Sequence, residues 1–239
     1  MAGFEQGTSR PDLRILLTPG DANREVLQAF LPSPQGFLRE GRVFKPGSRG
    51  FAVMAEIAGR SCFVKHYRCL GWTYRVRNAF RTSRAIRTWE VSHHMLARGV
   101  PVPVPLFCIE ERQFRLLGDA YLVTEFIDGG LDLQQYWEHA TAPAREAVLR
   151  RCAEVLGRMH AAGCCHGDLK WNNVLVRGGD GYPEIVLVDV DAACCRARLN
   201  RRRAAADLRR FVSDLERADP AGTCRELFLS EWTRWLKNA

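Results

Sequence analysis

Long apolar runs are missing from this chain. The longest, residues 100–109, is broken by three prolines. A helix needs about 20 consecutive apolar residues to cross a bilayer, so no transmembrane helix is expected. No positively charged segment leading into a sustained apolar run opens the sequence, and a soluble cytoplasmic protein is the expectation. Internal repeats and low-complexity segments are absent too. Although there are nine cysteines, none is paired at the two-residue spacing that zinc sites use. The adjacent pairs Cys164-Cys165 and Cys194-Cys195 are instead expected to be reduced structural thiols, as suits a cytoplasmic location.

Acidic residues are absent from residues 59–88, which hold Arg60, Lys65, Arg68, Arg75, Arg77, Arg81, Arg84 and Arg87. A second basic cluster, Arg196, Arg198, Arg201, Arg202, Arg203, Arg209 and Arg210, is offset by Asp207 alone. These clusters place the formal charge of +8. They are either solvated helix faces or, since Arg dominates over Lys and favours bidentate phosphate contacts, surfaces for an anionic substrate or an anionic membrane. No nucleic-acid partner is expected.

What is present is enough apolar residue for a core: 239 residues, 46% of them hydrophobic, suit one large domain or two small lobes. Residues 1–40 carry Gly, Pro, Ser and Thr clusters and one short periodic segment, 23–30, so they read as an N-terminal extension with one small helix. From residue 41 the pattern turns to strands at 43–45, 51–57 and 61–67, separated by turns, then a helix over about 82–97 and a strand over 121–127. The remainder is mostly helical around a short hairpin of 174–176 and 185–188, with Val148, Cys152, Val155, Leu156 and Met159 at helical spacing as core, and Trp232, Trp235 and Leu236 as a packing face. The expected fold is α+β: residues 41–128 form an antiparallel-sheet lobe and residues 129–239 a helical lobe, with a nucleotide cleft near 128–130.

The chemistry concentrates in His166-Gly167-Asp168-Leu169-Lys170-Trp171-Asn172-Asn173, followed by the strand Ile185-Val186-Leu187-Val188 and Asp189. An Asp, a Lys two residues on, an Asn five residues on and a second Asp closing a strand reproduce the spacing of a protein-kinase catalytic loop and metal site. Phosphoryl transfer needs a carboxylate to take the acceptor's proton and charge to offset the phosphate, and Asp168 and Lys170 fit those needs. Asn173 and Asp189 offer the oxygen ligands that Mg²⁺ prefers. Lys65, in the strand Cys62-Phe63-Val64-Lys65, stands where a kinase positions the ATP phosphates. Glu90 on the following helix is its expected partner, with Glu56 and Glu110 as alternatives. Glu125, near the end of the strand 121–127, joins the expected nucleotide-binding set. The turn Pro46-Gly47-Ser48-Arg49-Gly50 lacks a full three-glycine pattern, but its amides with Ser48 and Arg49 are placed to cover phosphates.

These residues, with Leu96-Ala97-Arg98-Gly99-Val100-Pro101-Val102-Pro103, Met159-His160 and Asp189-Val190-Asp191 ahead of the Arg-rich helix, resemble the lipopolysaccharide core kinases over about residues 41–216. The resemblance implies a two-lobed protein-kinase-like fold and an ATP- and Mg²⁺-dependent enzyme. Its substrate would be a heptose or Kdo hydroxyl of the lipopolysaccharide inner core, and it would sit peripherally on the inner membrane. It also implies Asp168 as base, Asn173 and Asp189 as metal ligands and Lys65 as the ATP lysine. His166-Gly167-Asp168 is shared with aminoglycoside and choline-type phosphotransferases, so a small-molecule kinase, an atypical protein kinase and a nucleotide-binding pseudokinase scaffold stay open as alternatives.

Overall fold

Apolar side chains in the N-terminal half alternate between two faces of one sheet, and that alternation sets its layers. The structure, a computed structural model, describes residues 12–45, 50–69, 71–79, 81–114, 116–178 and 182–238. It divides into two units, residues 1–90 with 104–126 and residues 91–103 with 127–239.

The first unit is built on six strands: β1 (Leu13–Leu17), β2 (Arg42–Lys45), β3 (Phe51–Ile57), β4 (Arg60–Tyr67), β5 (Pro105–Gln113) and β6 (Leu116–Glu125). They lie in the order β1-β5-β6-β4-β3-β2, every neighbour antiparallel. One face carries Ile15, Leu17, Val53, Val64, Phe107 and Val123, and helices α1 (Asp21–Phe30) and α2 (Pro34–Glu40) close over it. Val26, Leu27 and Phe30 are buried because they fall on one stripe of α1. The Phe30 ring lies 5.5 Å from Phe107 and 5.7 Å from Tyr121. Between β4 and β5 come α3 (Gly71–Arg77) and α4 (Arg84–Leu96). The opposite sheet face, with Leu16, Tyr67, Cys108 and Leu122, is covered by Ala85, Ile86 and Trp89 of α4.

The N-terminal segment, expected as an extension with one small helix, contributes an edge strand and two helices. The run at residues 13–17 is too short for its alternation to stand out in sequence. What organises it is a register with a distant partner, Ile15 opposite Ile109. Helix α3 was likewise not expected, since its seven residues bury too little to show a stripe.

The second unit holds helices α5 (Leu133–His139), α6 (Ala142–Ala161), α7 (Arg201–Ala218) and α8 (Thr223–Asn238). Its short strands are β7 (Leu131–Asp132), β8 (Cys164–Cys165), β9 (Val174–Arg177), β10 (Glu184–Leu187) and β11 (Cys194–Cys195), arranged as β10-β9-β7 and β11-β8. Val148, Cys152, Val155, Leu156 and Met159 of α6 are buried, as their spacing predicts. Gly157 lets α8 approach α6, because a Cβ there would stand 2.6 Å from the Cβ of Trp235. Trp171 is fully buried between Trp137 at 5.2 Å and Phe211 at 6.0 Å. Among the described residues no helix is long and apolar enough to cross a membrane.

Truncating Phe30 removes the ring on which α1 is seated. Phe30→Ala should cost about 3–5 kcal/mol, read as a lower urea midpoint. An unchanged midpoint would show that α1 does not seal the sheet.

Candidate active site

Residues 166–173 join β8 to β9, with Leu169 and Trp171 sunk into the core while Asp168 and Lys170 stay partly exposed. The buried pair anchors the loop and turns the polar pair outward. Asn173, on the 3₁₀ turn Trp171–Asn173, is 6% exposed. Its Nδ2 donates to the Asp168 carbonyl at 2.8 Å and to Asp168 Oδ2 at 3.3 Å. Lys170 Nζ stands 3.2 Å from the same Oδ2. An amide and an ammonium thus fix one carboxylate oxygen, and this bonding identifies Oδ1 of Asn173 as its remaining oxygen donor.

Asp189 follows β10 with φ 60° and ψ 49°, a left-handed conformation that a non-glycine residue rarely adopts and that clusters at functional sites. Its neighbour Val188 is tied to the loop twice. Val188 N–H donates to the Asn173 carbonyl at 3.0 Å, and the Val188 carbonyl accepts from His166 Nε2 at 3.0 Å. Since Asp168 N–H donates to His166 Nδ1 at 3.3 Å, the ring carries its hydrogen on Nε2. Burial holds the imidazole pKa below its usual 6.5, which keeps it in that neutral bridging form. Gly167 has φ 85°, and a Cβ there would meet the Ala192 carbonyl oxygen at 2.4 Å, so only glycine allows the loop past residues 190–192.

The loop's own amides are held from α7. Asp207, fully buried, accepts from His166 N–H at 2.8 Å and from Gly167 N–H at 2.9 Å, one on each oxygen. Two turns further on, Asp214 accepts from Trp171 N–H at 2.9 Å. In the sequence Asp207 registers only as the acidic offset within the second arginine cluster. The available signal was its position on the apolar stripe of Ala204, Phe211 and Leu215, where a carboxylate must find buried donors. His160 Nε2 lies 3.6 Å from Asp207 Oδ2, while His160 Nδ1 accepts from Trp232 Nε1. Ligand atoms of His160, Cys165 and Asp207 all fall within 4.8 Å. Both Asp207 oxygens already accept amides, and burial pushes the Cys165 thiol up to about 12, so this trio supports the loop and is a poor cation cage. Asn173 Oδ1 and the Asp189 carboxylate are, by contrast, the hard oxygen donors that suit Mg²⁺.

In the first unit, Lys65 is half-buried on β4 opposite Leu122, on the face that α4 covers. Glu90 stands exposed on α4. Of its alternatives, Glu56 accepts from Ser61 Oγ. Glu110 is fully buried, accepting from Ser83 N–H at 2.8 Å and from Arg112 Nε at 2.5 Å. Glu125 braces the backbone, its Oε1 accepting from Val104 N–H at 3.0 Å. Ser48 and Arg49 lie outside the described residues. A surface groove of about 320 Å³ beside Tyr182 and Trp235 lies on α6 and α8, away from the loop. Its Arg150 and Arg234 both pair with Glu231, and its Arg151 with Glu154, so they offer no ready anion site.

The cysteine pairs differ from expectation. Cys164 and Cys195 form a disulfide, which their directly opposed register on β8 and β11 permits. Cys165 and Cys194 face each other in the same ladder as free thiols. Spacing in the sequence could not reveal this, because the pairing spans 31 residues.

Comparison with known proteins gives a consistent result. The model of the lipopolysaccharide kinase (Kdo/WaaP) family matches residues 39–233. The 3-deoxy-D-manno-octulosonic acid kinase of Xanthomonas axonopodis pv. citri is 27% identical over 183 residues, covering 73% of this chain and 70% of that protein. The enzyme of the same name from Haemophilus influenzae is 25% identical over 153 residues, 61% of this chain and 62% of that protein. A probable bifunctional tRNA threonylcarbamoyladenosine biosynthesis protein of Methanothermobacter thermautotrophicus is 30% identical over 153 residues, 24% of its length. Among solved structures, WaaP in complex with acyl carrier protein superposes with a TM-score of 0.71 at 17% identity, covering 92% of this chain and 89% of that one.

Two outcomes test the supports of the loop. Asp207→Ala leaves two buried amides unpaired and should cost about 3–5 kcal/mol. Denaturant unfolding would read this, and an unchanged midpoint would assign the amides to water. Reducing the Cys164–Cys195 bridge should lower stability by about 3–4 kcal/mol from restored chain entropy. The comparison is dithiothreitol-treated wild type against Cys195→Ser, and a Cys195→Ser variant as stable as the untreated protein would show that the bridge constrains nothing.

Proposed function

Because this chain belongs to the lipopolysaccharide kinase (Kdo/WaaP) family by its match over residues 39–233, we propose that it carries out the family's phosphoryl transfer from ATP to a heptose or Kdo hydroxyl of the lipopolysaccharide inner core, with Asp168 as the general base. The observation carrying this reading is the Asp168 carboxylate, held at one oxygen by both Lys170 and Asn173. A carboxylate fixed in this way accepts the hydroxyl proton as the acceptor oxygen bonds to the γ-phosphorus and the ADP oxygen leaves. Lys170, partly exposed beside it, offsets charge on the transferring group.

Asn173 Oδ1 and the Asp189 carboxylate would hold Mg²⁺, which neutralises charge spread over the phosphate oxygens. Lys65 positions the nucleotide phosphates. Glu90 orients Lys65, since Glu56 and Glu110 already have partners in the first unit. Glu125 acts on the backbone at Val104, which supports a bracing role more than a direct nucleotide contact. The reaction belongs on the cytoplasmic side, where ATP is, against an anionic inner-membrane surface that the acid-free basic stretch of residues 59–88 suits.

Asp168→Asn should lower turnover by about 10²–10⁴-fold with ATP affinity within a few fold of wild type. The assay is label transfer from Mg-ATP to dephosphorylated core lipopolysaccharide, run beside a generic protein and an aminoglycoside. Near-normal turnover in the variant would remove Asp168 from its role, and label entering the protein or the aminoglycoside instead would shift the substrate class.

A further inference from the structure

We propose that the outer surface of α3 and the tip of the β5–β6 hairpin together dock this protein on an anionic lipid bilayer. The proposal rests on the reading that its acceptor is a lipopolysaccharide, and it names the surface through which the acceptor's membrane is reached.

Trp72 and Val76 lie one turn apart on α3 and are 66% and 50% exposed. Phe114, at the hairpin tip, is 91% exposed. Other exposed aromatic rings have company: Phe44 lies 5.6 Å from Phe126, and Tyr182 lies beneath the Arg151 guanidinium at 4.8 Å. The α3 segment and the hairpin are fastened to each other. Arg112, two residues before Phe114, donates to the Ala79 carbonyl at 2.7 Å and to the Arg81 carbonyl at 2.6 Å. At the other end of α3, Cys69 N–H donates to Asp119 Oδ1 at 2.7 Å, and Cys69 Sγ donates to the Leu117 carbonyl at 3.5 Å. The buried Glu110 in turn holds Arg112. These apolar side chains therefore project from a braced base. Phe114 has φ 50°, a costly conformation for a bulky residue, and it leaves the ring in solvent.

The surrounding charge selects the partner. Arg68, Arg81, Arg84 and Arg87 are exposed, and residues 59–88 contain no carboxylate; on the hairpin, Asp119 lies near Arg68 but is partly buried and already committed to His66 and to Cys69 N–H. Tryptophan and phenylalanine amid guanidinium groups match a lipid headgroup region, where rings enter the acyl boundary and arginines meet phosphates. An acidic protein would satisfy the arginines, but it would also need recesses shaped for Trp72 and Phe114, whereas a bilayer takes rings anywhere on its surface. The arginines of α7 lack this combination: residues 196–210 expose no large apolar side chain, Arg203 donates to Cys194 Sγ, and Arg210 to the Ala206 carbonyl.

The test is flotation of the full chain with phosphatidylethanolamine–phosphatidylglycerol vesicles and with phosphatidylcholine vesicles, at low and high salt, without ATP or acceptor. Trp72→Ser/Phe114→Ser should weaken binding to the anionic vesicles about tenfold or more. Arg68→Ser/Arg81→Ser should remove much of the salt-sensitive part. Both variants should keep the wild-type melting temperature and wild-type turnover on soluble, delipidated core oligosaccharide. Flotation equal to wild type in both would overturn the proposal. So would a wild-type chain that ignores vesicles but binds purified acyl carrier protein through Trp72. If flotation depends on Trp72 and Phe114 but wild type fails to phosphorylate the soluble acceptor, the docking surface stands and the kinase reading falls.

Discussion

The Asp207 carboxylate, closed on the amides of His166 and Gly167, is the constraint on which the loop of residues 166–173 depends. A loop that must present Asp168 and Lys170 outward cannot also pair its amides in a ladder, and buried amides left alone are costly. Helix α7 resolves the conflict by placing two carboxylates two turns apart, Asp207 under the start of the loop and Asp214 under Trp171. Gly167 then passes Ala192 at a distance that no side chain permits. The neutral His166 ring reaches across to Val188 and fixes the residue before Asp189. The polar side chains of the loop are accordingly positioned by groups buried behind them.

This division explains what could be read in the sequence. The grouping of Asp168, Lys170 and Asn173 is legible because loop contacts are local: residues two and five apart in the chain are the ones that meet in the structure. The strand that carries Lys65 is legible because its residues alternate between faces. Asp207 is not, because its partners lie about forty residues earlier and nothing next to it in the chain, Ala206 or Leu208, hints at them. The same reason hides β1, whose register with β5 bridges most of the first unit, and the Cys164–Cys195 bridge. Local pattern gives the elements and the motif; contacts between distant segments give the supports.

The first unit obeys a comparable logic. Its sheet is covered on one face by α1 and α2 and on the other by α4, so the β4 lysine is held on a layer packed from both sides. At the start of α4, Ser83 Oγ accepts from Ile86 N–H at 3.2 Å, while Glu110 accepts from Ser83 N–H. Glu110 also holds Arg112, whose remaining nitrogens reach the carbonyls after α3. One buried carboxylate therefore joins the helix carrying Glu90 to the segment carrying Trp72. Removing one member of such a pair leaves an uncompensated buried charge, so its value lies in the geometry it enforces and not in net stability.

That geometry bears on how an acceptor confined to a membrane can be used. Each encounter with a lipid-anchored sugar requires the enzyme to stay near the surface for longer than free diffusion allows, yet to leave when the reaction is done. Charge alone gives an attachment that salt screens within about 10 Å. Apolar burial alone would make an exposed patch prone to self-association. On the proposed docking surface, Trp72 and Phe114 on a braced helix and hairpin, beside exposed arginines, would give weak attachment from each source and reversible attachment from their sum. The absence of carboxylates from residues 59–88 fits the proposed docking surface: an acidic residue there would pair with the arginines, and it would also repel the phosphates of an anionic bilayer.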